Sequence, residues 1–183
     1  MKVVVIALAA TLCACAPNLD PKAPALSLAG TDDTAHPIAS GGAPKVIVFF
    51  SEHCPCVRAH DARLVALANE YSPRGVEFYA VDSEIGASVE VDRARAREHG
   101  YPFPILVDDK ARLAHALGAE YATYTVIVDA SGTILYRGGI DSDHTHLSSG
   151  AVPYLRDALD DVVARRPLRR ARTEPLGCAL RTW

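Results

Sequence analysis

A buried strand that runs into two cysteines constrains this chain more than any other feature of its sequence. Lys45–Phe50 is an apolar run rich in β-branched and aromatic residues, and residues 57–71 after it have a helical pattern. Cys54 and Cys56 therefore lie at the helix N-terminus, and Pro55 suits the first helical position because it has no N–H to lose there. The free amides of that end favour a thiolate over a thiol. The pattern predicts thiol–disulfide chemistry, with Cys54 as the N-cap and its sulfur directed at the free amides.

The rest of the chain alternates strands and helices, which predicts an α/β fold. A small hairpin is expected within residues 26–38. Further strands are predicted at 76–81, 104–107, 124–128 and 133–136, and helices at 56–71, 88–99, 110–117 and 152–163. The early alternation favours parallel pairing, while the tight turn at 129–132 makes the last two strands an antiparallel hairpin, so the central sheet is mixed and flanked by helices. The cysteines would lie at the carboxyl end of a central strand, where open sheets place their sites.

The first 15 residues have the pattern of an export signal. One basic residue, Lys2, precedes an apolar run at 3–12 that is too short to span a bilayer as a mature helix. The sequence Leu-Cys-Ala-Cys at 12–15 resembles a bacterial lipobox, so residues 1–15 are interpreted as a lipoprotein-type signal peptide with Cys15 as the lipidated mature N-terminus. We expect a lipid anchor in the bacterial cell envelope, facing the periplasm or the cell exterior, where disulfides persist. An ordinary signal peptide cleaved nearby is the alternative.

Composition divides the mature chain into three parts. Residues 16–25 contain three prolines and little apolar pattern, which indicates a linker. Residues 26–164 suit one domain with a core of its own, which does not need cysteines as staples. Residues 165–183 form a basic tail with five arginines between 165 and 172, followed by a Gly-Cys pair at 177–178. The formal net charge of −3 indicates no particular partner, and no nucleic-acid binding is expected.

The number of cysteines limits which disulfides the mature chain can form. Cys13 leaves with the signal and Cys15 takes the lipid, so Cys54, Cys56 and Cys178 remain, and at most one internal bridge can form. Residues two apart point to different sides of a helix, so a bridge between Cys54 and Cys56 would be strained and easily reduced. We interpret Cys54 as the nucleophile and either Cys56 or Cys178 as the resolving thiol. This predicts that the tail folds back to bring Cys178 to the Cys54 junction. A permanent staple between Cys178 and one of the others is the structural alternative.

Several segments resemble one known family. They are the strand and Cys54-Pro55 junction, and residues 70–78, 99–108, 126–132, 155–159 and 173–178. They resemble the thioredoxin-like superfamily, in its redoxin or peroxiredoxin-like branch of the alkyl hydroperoxide reductase–thiol-specific antioxidant type. The resemblance implies a thioredoxin-like fold and an exported thiol–disulfide oxidoreductase that needs no bound cofactor. Its electrons would come from protein thiols or a thiol reductant.

The family pattern is not followed everywhere. Thr123 stands where thioredoxin relatives commonly have a cis-proline, and the spacing is Cys-x-Cys where thioredoxins have Cys-x-x-Cys. Ser51, three residues before Cys54, resembles the hydroxyl residue that helps peroxiredoxins to hold peroxide. However, Ile47 replaces their proline, and no arginine lies near 121–125. A thiol peroxidase is therefore an alternative function.

A copper- or zinc-binding protein that uses the same cysteines is the alternative from another class. His53 and His60 flank the two cysteines, and a loop at 141–146 adds His144 and His146. Cysteine and histidine together suit copper(I) or zinc. Loop histidines flanked by aspartate and serine are more often solvated, so the sequence favours the oxidoreductase, and no metal ligand is assigned.

Overall fold

A computed structural model describes residues 21–183 of the chain. The predicted signal segment 1–15 and Cys15 lie outside the described residues. The strands are β1 (Ser27–Gly30), β2 (Ala35–Pro37), β3 (Lys45–Phe50), β4 (Glu77–Asp82), β5 (Ile105–Val107), β6 (Thr125–Val128) and β7 (Ile134–Gly138). The α-helices are α1 (Pro55–Tyr71), α2 (Val89–Glu98), α3 (Arg112–Leu117) and α4 (Tyr154–Val163). Every predicted element is present, with ends that differ by at most two residues.

The strands form one mixed sheet in the order β2-β1-β5-β4-β3-β6-β7. β3 pairs in parallel with β4, and β4 with β5, as the alternation of strands and helices predicts. β6 pairs antiparallel with both β3 and β7, and β1 pairs antiparallel with β2 and β5. The α/β class and the late hairpin are therefore confirmed. All six residues of β3 are buried, as expected for a central strand whose two faces are both covered.

Helices cover both faces of the sheet. Alternate residues of β3 point to opposite faces, so Val46 and Val48 pack in the layer that contains α1 and α4, while Ile47 and Phe49 pack in the layer that contains α3. The two cysteines that follow β3 belong to the first of these layers. The candidate site is thus part of the hydrophobic core and is not held on a mobile loop. Within residues 21–183, no helix is both long enough and apolar enough to cross a membrane.

The described residues include the end of the predicted linker 16–25. The amide of Ala23 donates to the carbonyl of Gly132 at 2.8 Å, and the amide of Ile134 donates to Pro21 at 2.8 Å. Ala23 is also buried. The described end of the linker therefore lies against the hairpin of β6 and β7, where backbone hydrogen bonds hold it. The pattern of apolar residues in the sequence does not predict these bonds.

The predicted tail 165–183 lies on the domain. Arg166 and Arg169 both pair with Asp161 of α4, so the basic run is held by ion pairs at the end of the last helix. Beyond it, the amide of Arg137 in β7 donates to Ala171 at 3.0 Å, and the tail continues along that strand. This path carries the last residues of the chain toward the end of β3.

Candidate functional site

Three thiols meet where β3 ends and α1 begins. Cys54 is the N-cap of α1 with extended backbone, Pro55 follows in the first turn, and Cys56 lies in that turn, as predicted. Cys178 arrives from the tail, and the three sulfur atoms lie within 4.8 Å of one another. All three are free; Cys54 and Cys56 are buried, and Cys178 is half-buried. The structure therefore brings together the three residues that the sequence singles out, and the predicted return of the tail is confirmed. Their catalytic roles stay predictions.

Backbone hydrogen bonds hold the tail in place over the site. The amide of Ala122 donates to the carbonyl of Cys178 at 2.8 Å, and the amide of Leu180 donates to Glu120 at 2.9 Å. Gly177 sits so close to this loop that an added Cβ would overlap the Ala122 carbonyl oxygen. Only glycine fits there, so the close approach of the two backbones explains why a glycine precedes Cys178.

Thr123 helps to hold the same segment. Its amide donates to the carbonyl of Phe49 at 2.8 Å, and its hydroxyl donates to the carbonyl of Leu176 at 3.1 Å. The residue has a φ of 71°, in the left-handed region, and no cis peptide bond occurs within residues 21–183. The chain's own tail therefore lies against the loop before β6, where thioredoxin relatives commonly have a cis-proline.

The tail also supplies the hydrogen bond to the candidate nucleophile. The amide of Cys178 donates to Cys54 Sγ at 3.4 Å. No capping hydrogen bond of the Cys54 side chain to the helix is formed, but the amides of Val57 and Cys56 at the start of α1 act on its sulfur, as the sequence predicts. Burial raises the pKa of the Cys54 thiol, but hydrogen bonding from Cys178 and the nearby amides of Val57 and Cys56 outweigh it and leave the pKa below its ordinary value. The tail thus contributes to thiolate formation together with the helix N-terminus.

The other two thiols keep their protons. Burial, together with the negative charge on Cys54, raises the pKa of Cys56 to about 11. Burial and the hydrogen bond to Cys54 raise the pKa of Cys178 to about 12. The cluster therefore gives up one proton readily and retains the next two, as coupled groups do. At neutral pH it offers one thiolate flanked by two protonated thiols, which suits one attacking sulfur with resolving thiols in reach.

Glu84 connects the two chain segments that meet at the site. The hydroxyl of Ser51 donates to Glu84 Oε2 at 3.0 Å, and the amide of Arg181 donates to Glu84 Oε1 at 3.1 Å. The Ser51 proton is therefore directed at Glu84 and not at Cys54. Sequence reasoning missed Glu84. Its position just after β4, the parallel neighbour of β3, is the signal that could have found it, since such strand ends share one edge.

The histidines do not join the thiols. His53 is exposed, and so are His144 and His146. His60 is buried with both ring nitrogens engaged, one by a carbonyl of its own helix at 2.7 Å and the other by Asp141 at 3.1 Å. Within residues 21–183, the only close group of possible metal ligands is the three cysteines. The mixed cysteine and histidine set considered from the sequence is therefore not assembled, because the ring of His60 is held by Asp141.

Comparisons with known proteins show which family and which fold this chain resembles. The Redoxin family model matches residues 19–152. A search of curated proteins gave no match. An uncharacterized conserved protein from Geobacillus kaustophilus is 31% identical with a TM-score of 0.80, over 90% of this chain and 91% of that one. A secreted disulfide oxidoreductase from Mycobacterium tuberculosis, homologous to E. coli DsbE, is 16% identical with a TM-score of 0.55, over 77% of this chain and 93% of that one.

A third solved structure identifies the fold. It is a thioredoxin candidate from Neisseria meningitidis, 22% identical with a TM-score of 0.63, over 80% of this chain and 92% of that one. At this level of identity, the Neisseria and Mycobacterium structures show a shared fold alone. The expected thioredoxin-like fold is confirmed.

Proposed function

This chain belongs to the Redoxin family, and from that premise we propose that it is an exported thiol–disulfide oxidoreductase in which Cys54 attacks and Cys178 resolves. The observation that carries the proposal is the position of the tail. The amide of Cys178 donates to Cys54 Sγ at 3.4 Å, and the sulfurs of Cys54, Cys56 and Cys178 lie within 4.8 Å of one another. A lowered pKa at the attacking sulfur, with protonated thiols beside it, is the arrangement that disulfide exchange requires.

The exchange proceeds in two steps. The Cys54 thiolate attacks one sulfur of a substrate disulfide, a mixed disulfide forms, and the other substrate sulfur leaves as a thiolate that takes up a proton. The Cys178 thiol then loses its proton and attacks Cys54 Sγ, which releases the second substrate thiol and leaves a Cys54–Cys178 disulfide. Two electrons pass from the two cysteines to the substrate. A thiol reductant restores the protein by the reverse exchange.

Cys178 is the better resolving thiol on structural grounds. Cys56 is completely buried in the first turn of α1, and a bond from it to Cys54 would distort that turn. Cys178 lies on a tail segment held mainly by backbone hydrogen bonds, so its sulfur can approach Cys54 without unwinding a helix. The sequence left both candidates open, and the position of Cys178 outside a helix supports it as the resolving thiol.

Access to Cys54 requires the tail to move. The Cys54 residue is only 1% exposed, although it must meet a substrate disulfide. When the tail leaves, the amide of Ala122 and the carbonyl of Glu120 lose their partners and become available to an extended substrate segment. Protein thiols and disulfides are therefore the proposed substrate class, with the substrate taking the place of the tail.

A trapping experiment tests these assignments. In Cys178→Ser, the mixed disulfide between Cys54 and a model disulfide substrate is expected to accumulate, because the resolving thiol is missing. In Cys56→Ser, the Cys54–Cys178 disulfide should still form and be found by mass spectrometry of the alkylated peptides. Accumulation in Cys56→Ser and turnover in Cys178→Ser would exchange the roles of the two thiols. If no mixed disulfide forms with Cys54 in either variant, the oxidoreductase proposal fails.

The same proposal places this chemistry at the bacterial cell envelope, through a lipid on Cys15. The support is the apolar run 3–12 and the lipobox-like sequence after it. Metabolic labelling with a fatty acid is expected to mark the wild-type chain and not Cys15→Ser. Cys13→Ser is the matched control and should still be labelled, because a small residue is retained before the lipidated position. Equal labelling of all three proteins would remove the anchor from the proposal.

A further inference from the structure

We propose that the reduced protein binds one copper(I) ion between the sulfurs of Cys54, Cys56 and Cys178. This goes beyond disulfide exchange, because exchange uses two thiols whereas the ion uses all three. No other part of the described chain brings three possible ligand atoms so close together.

The spacing of the sulfurs fits a three-coordinate ion. A metal ion bonded to thiolates at about 2.3 Å, placed at the centre of three sulfurs, holds them about 4 Å apart. The three sulfurs already lie within 4.8 Å of one another, so small rotations about χ1 bring them to that distance. Two ligands come from the first turn of α1 and one from the tail, and none requires a change in backbone fold.

The ligand set selects the ion. Thiolates are soft ligands that favour copper(I), zinc and iron–sulfur clusters over magnesium, calcium or manganese. Structural zinc sites take four ligands, and the residues around this cluster supply three. The buried His60 cannot serve as a fourth, because its ring nitrogens are held by Asp141 and by a helix carbonyl. Copper(I) accepts three sulfur ligands, so it is the ion that this set fits best.

The surroundings suit a reduced copper ion. Cys54 and Cys56 are 1% and 0% exposed, so the site is largely closed to water and to oxidants. The ion displaces the protons that remain on the thiols, and no oxidation state changes on binding. Three thiolates and one copper(I) ion leave two net negative charges, which face the amide of Cys178 and the N-terminus of α1.

Binding and disulfide formation exclude each other. A Cys54–Cys178 disulfide removes two of the three ligands, so the oxidised protein has no copper(I) site. Reduction of the disulfide by a partner would create the copper(I) site. Oxidation of the reduced, copper-loaded protein would release the ion. The redox state of one sulfur pair thus sets the occupancy of the site.

A competition titration tests the proposal. The full-length protein is fully reduced, kept anaerobic and titrated with copper(I) against a chromophoric copper(I) chelator. We expect one ion per chain, and X-ray absorption should show sulfur ligands at about 2.3 Å and no nitrogen. Loss of any one of the three thiols should weaken binding by roughly a hundredfold or more, since even outer-shell partners of metal ligands cost up to that amount. A double His144→Ala and His146→Ala variant is the control and should bind as the wild type does.

Cys56→Ser separates this proposal from the proposed function. It lacks a copper ligand but keeps both thiols of the exchange pair, so it should lose copper affinity and still form the Cys54–Cys178 disulfide. That disulfide also shows that the variant is folded. Copper binding of wild-type strength in Cys56→Ser, a stoichiometry other than one, tight binding by the oxidised protein, or tighter binding of zinc with histidine ligands would each overturn the proposal.

Discussion

Replacing Cys54 with serine is expected to abolish disulfide reduction by this protein, lowering the rate by on the order of a thousandfold or more. The thiolate of Cys54 is the only one in the cluster whose pKa lies below its ordinary value, while burial raises the pKa of Cys56 to about 11 and that of Cys178 to about 12. A serine hydroxyl stays protonated in the same position, so it cannot attack a substrate disulfide. The measurement is reduction of a model protein disulfide with a thiol reductant present.

The neighbouring side chain provides a control for this experiment. His53 is adjacent to Cys54 in the chain but exposed, so His53→Ala should keep the rate within a few-fold of the wild type. Thermal unfolding of Cys54→Ser should confirm that the variant folds. A folded Cys54→Ser protein with wild-type activity would show that another thiol starts the reaction.

Replacing Gly177 with alanine is expected to uncover Cys54. The added Cβ would overlap the carbonyl oxygen of Ala122 and lie 2.8 Å from its carbonyl carbon, so the tail must move away from this loop. That movement breaks the hydrogen bonds of Ala122 to Cys178 and of Leu180 to Glu120. At about 1 kcal/mol of net stabilisation for each bond, the opening equilibrium shifts by about 2 kcal/mol, which is roughly thirtyfold.

The expected result is faster alkylation of Cys54 and slower formation of the Cys54–Cys178 disulfide. Alkylation is measured at about pH 9, above the ordinary thiol pKa of about 8.5, so that the rate reports access more than ionisation. Mass spectrometry of the peptides separates Cys54 from Cys56. Gly150→Ala is the matched control, because an added Cβ there meets no atom within 4 Å. Unchanged alkylation in Gly177→Ala would mean that the tail does not limit access to Cys54.

The tail therefore has two effects that oppose each other. It supplies the Cys178 amide and thiol that lower the pKa of Cys54, and it closes the route by which a substrate reaches that sulfur. Glu84 connects the segment after β3 to the tail, since it accepts hydrogen bonds from Ser51, before Cys54 and Cys56, and from Arg181, after Cys178. A substrate that displaces the tail also displaces part of the environment that activates Cys54. The thiolate is thus most stabilised while it is covered.

The helices and strands of this protein and the location of its cysteines can be predicted from the amino-acid pattern. The apolar run Lys45–Phe50, Pro55 in the first turn and the glycine after the last residue of α3 are local signals, and local signals set where strands and helices begin and end. The position of Cys54 at the end of a central strand followed from the same signals, and the cysteine count limits the thiols available to pair with it.

The groups that surround those sulfurs come from distant parts of the chain and could not be predicted in this way. The hydrogen bond to Cys54 Sγ comes from a residue 124 positions later in the chain, and the partner of Ser51 lies 33 positions away. Such contacts depend on how the tail and the strand ends pack together, and no periodicity of the sequence records that packing. For the same reason the sequence pointed the sulfur of Cys54 at the helix amides alone and left a mixed set of cysteine and histidine ligands open as an alternative. In the folded chain the amide of Cys178 also donates to that sulfur, and His60 is held by Asp141.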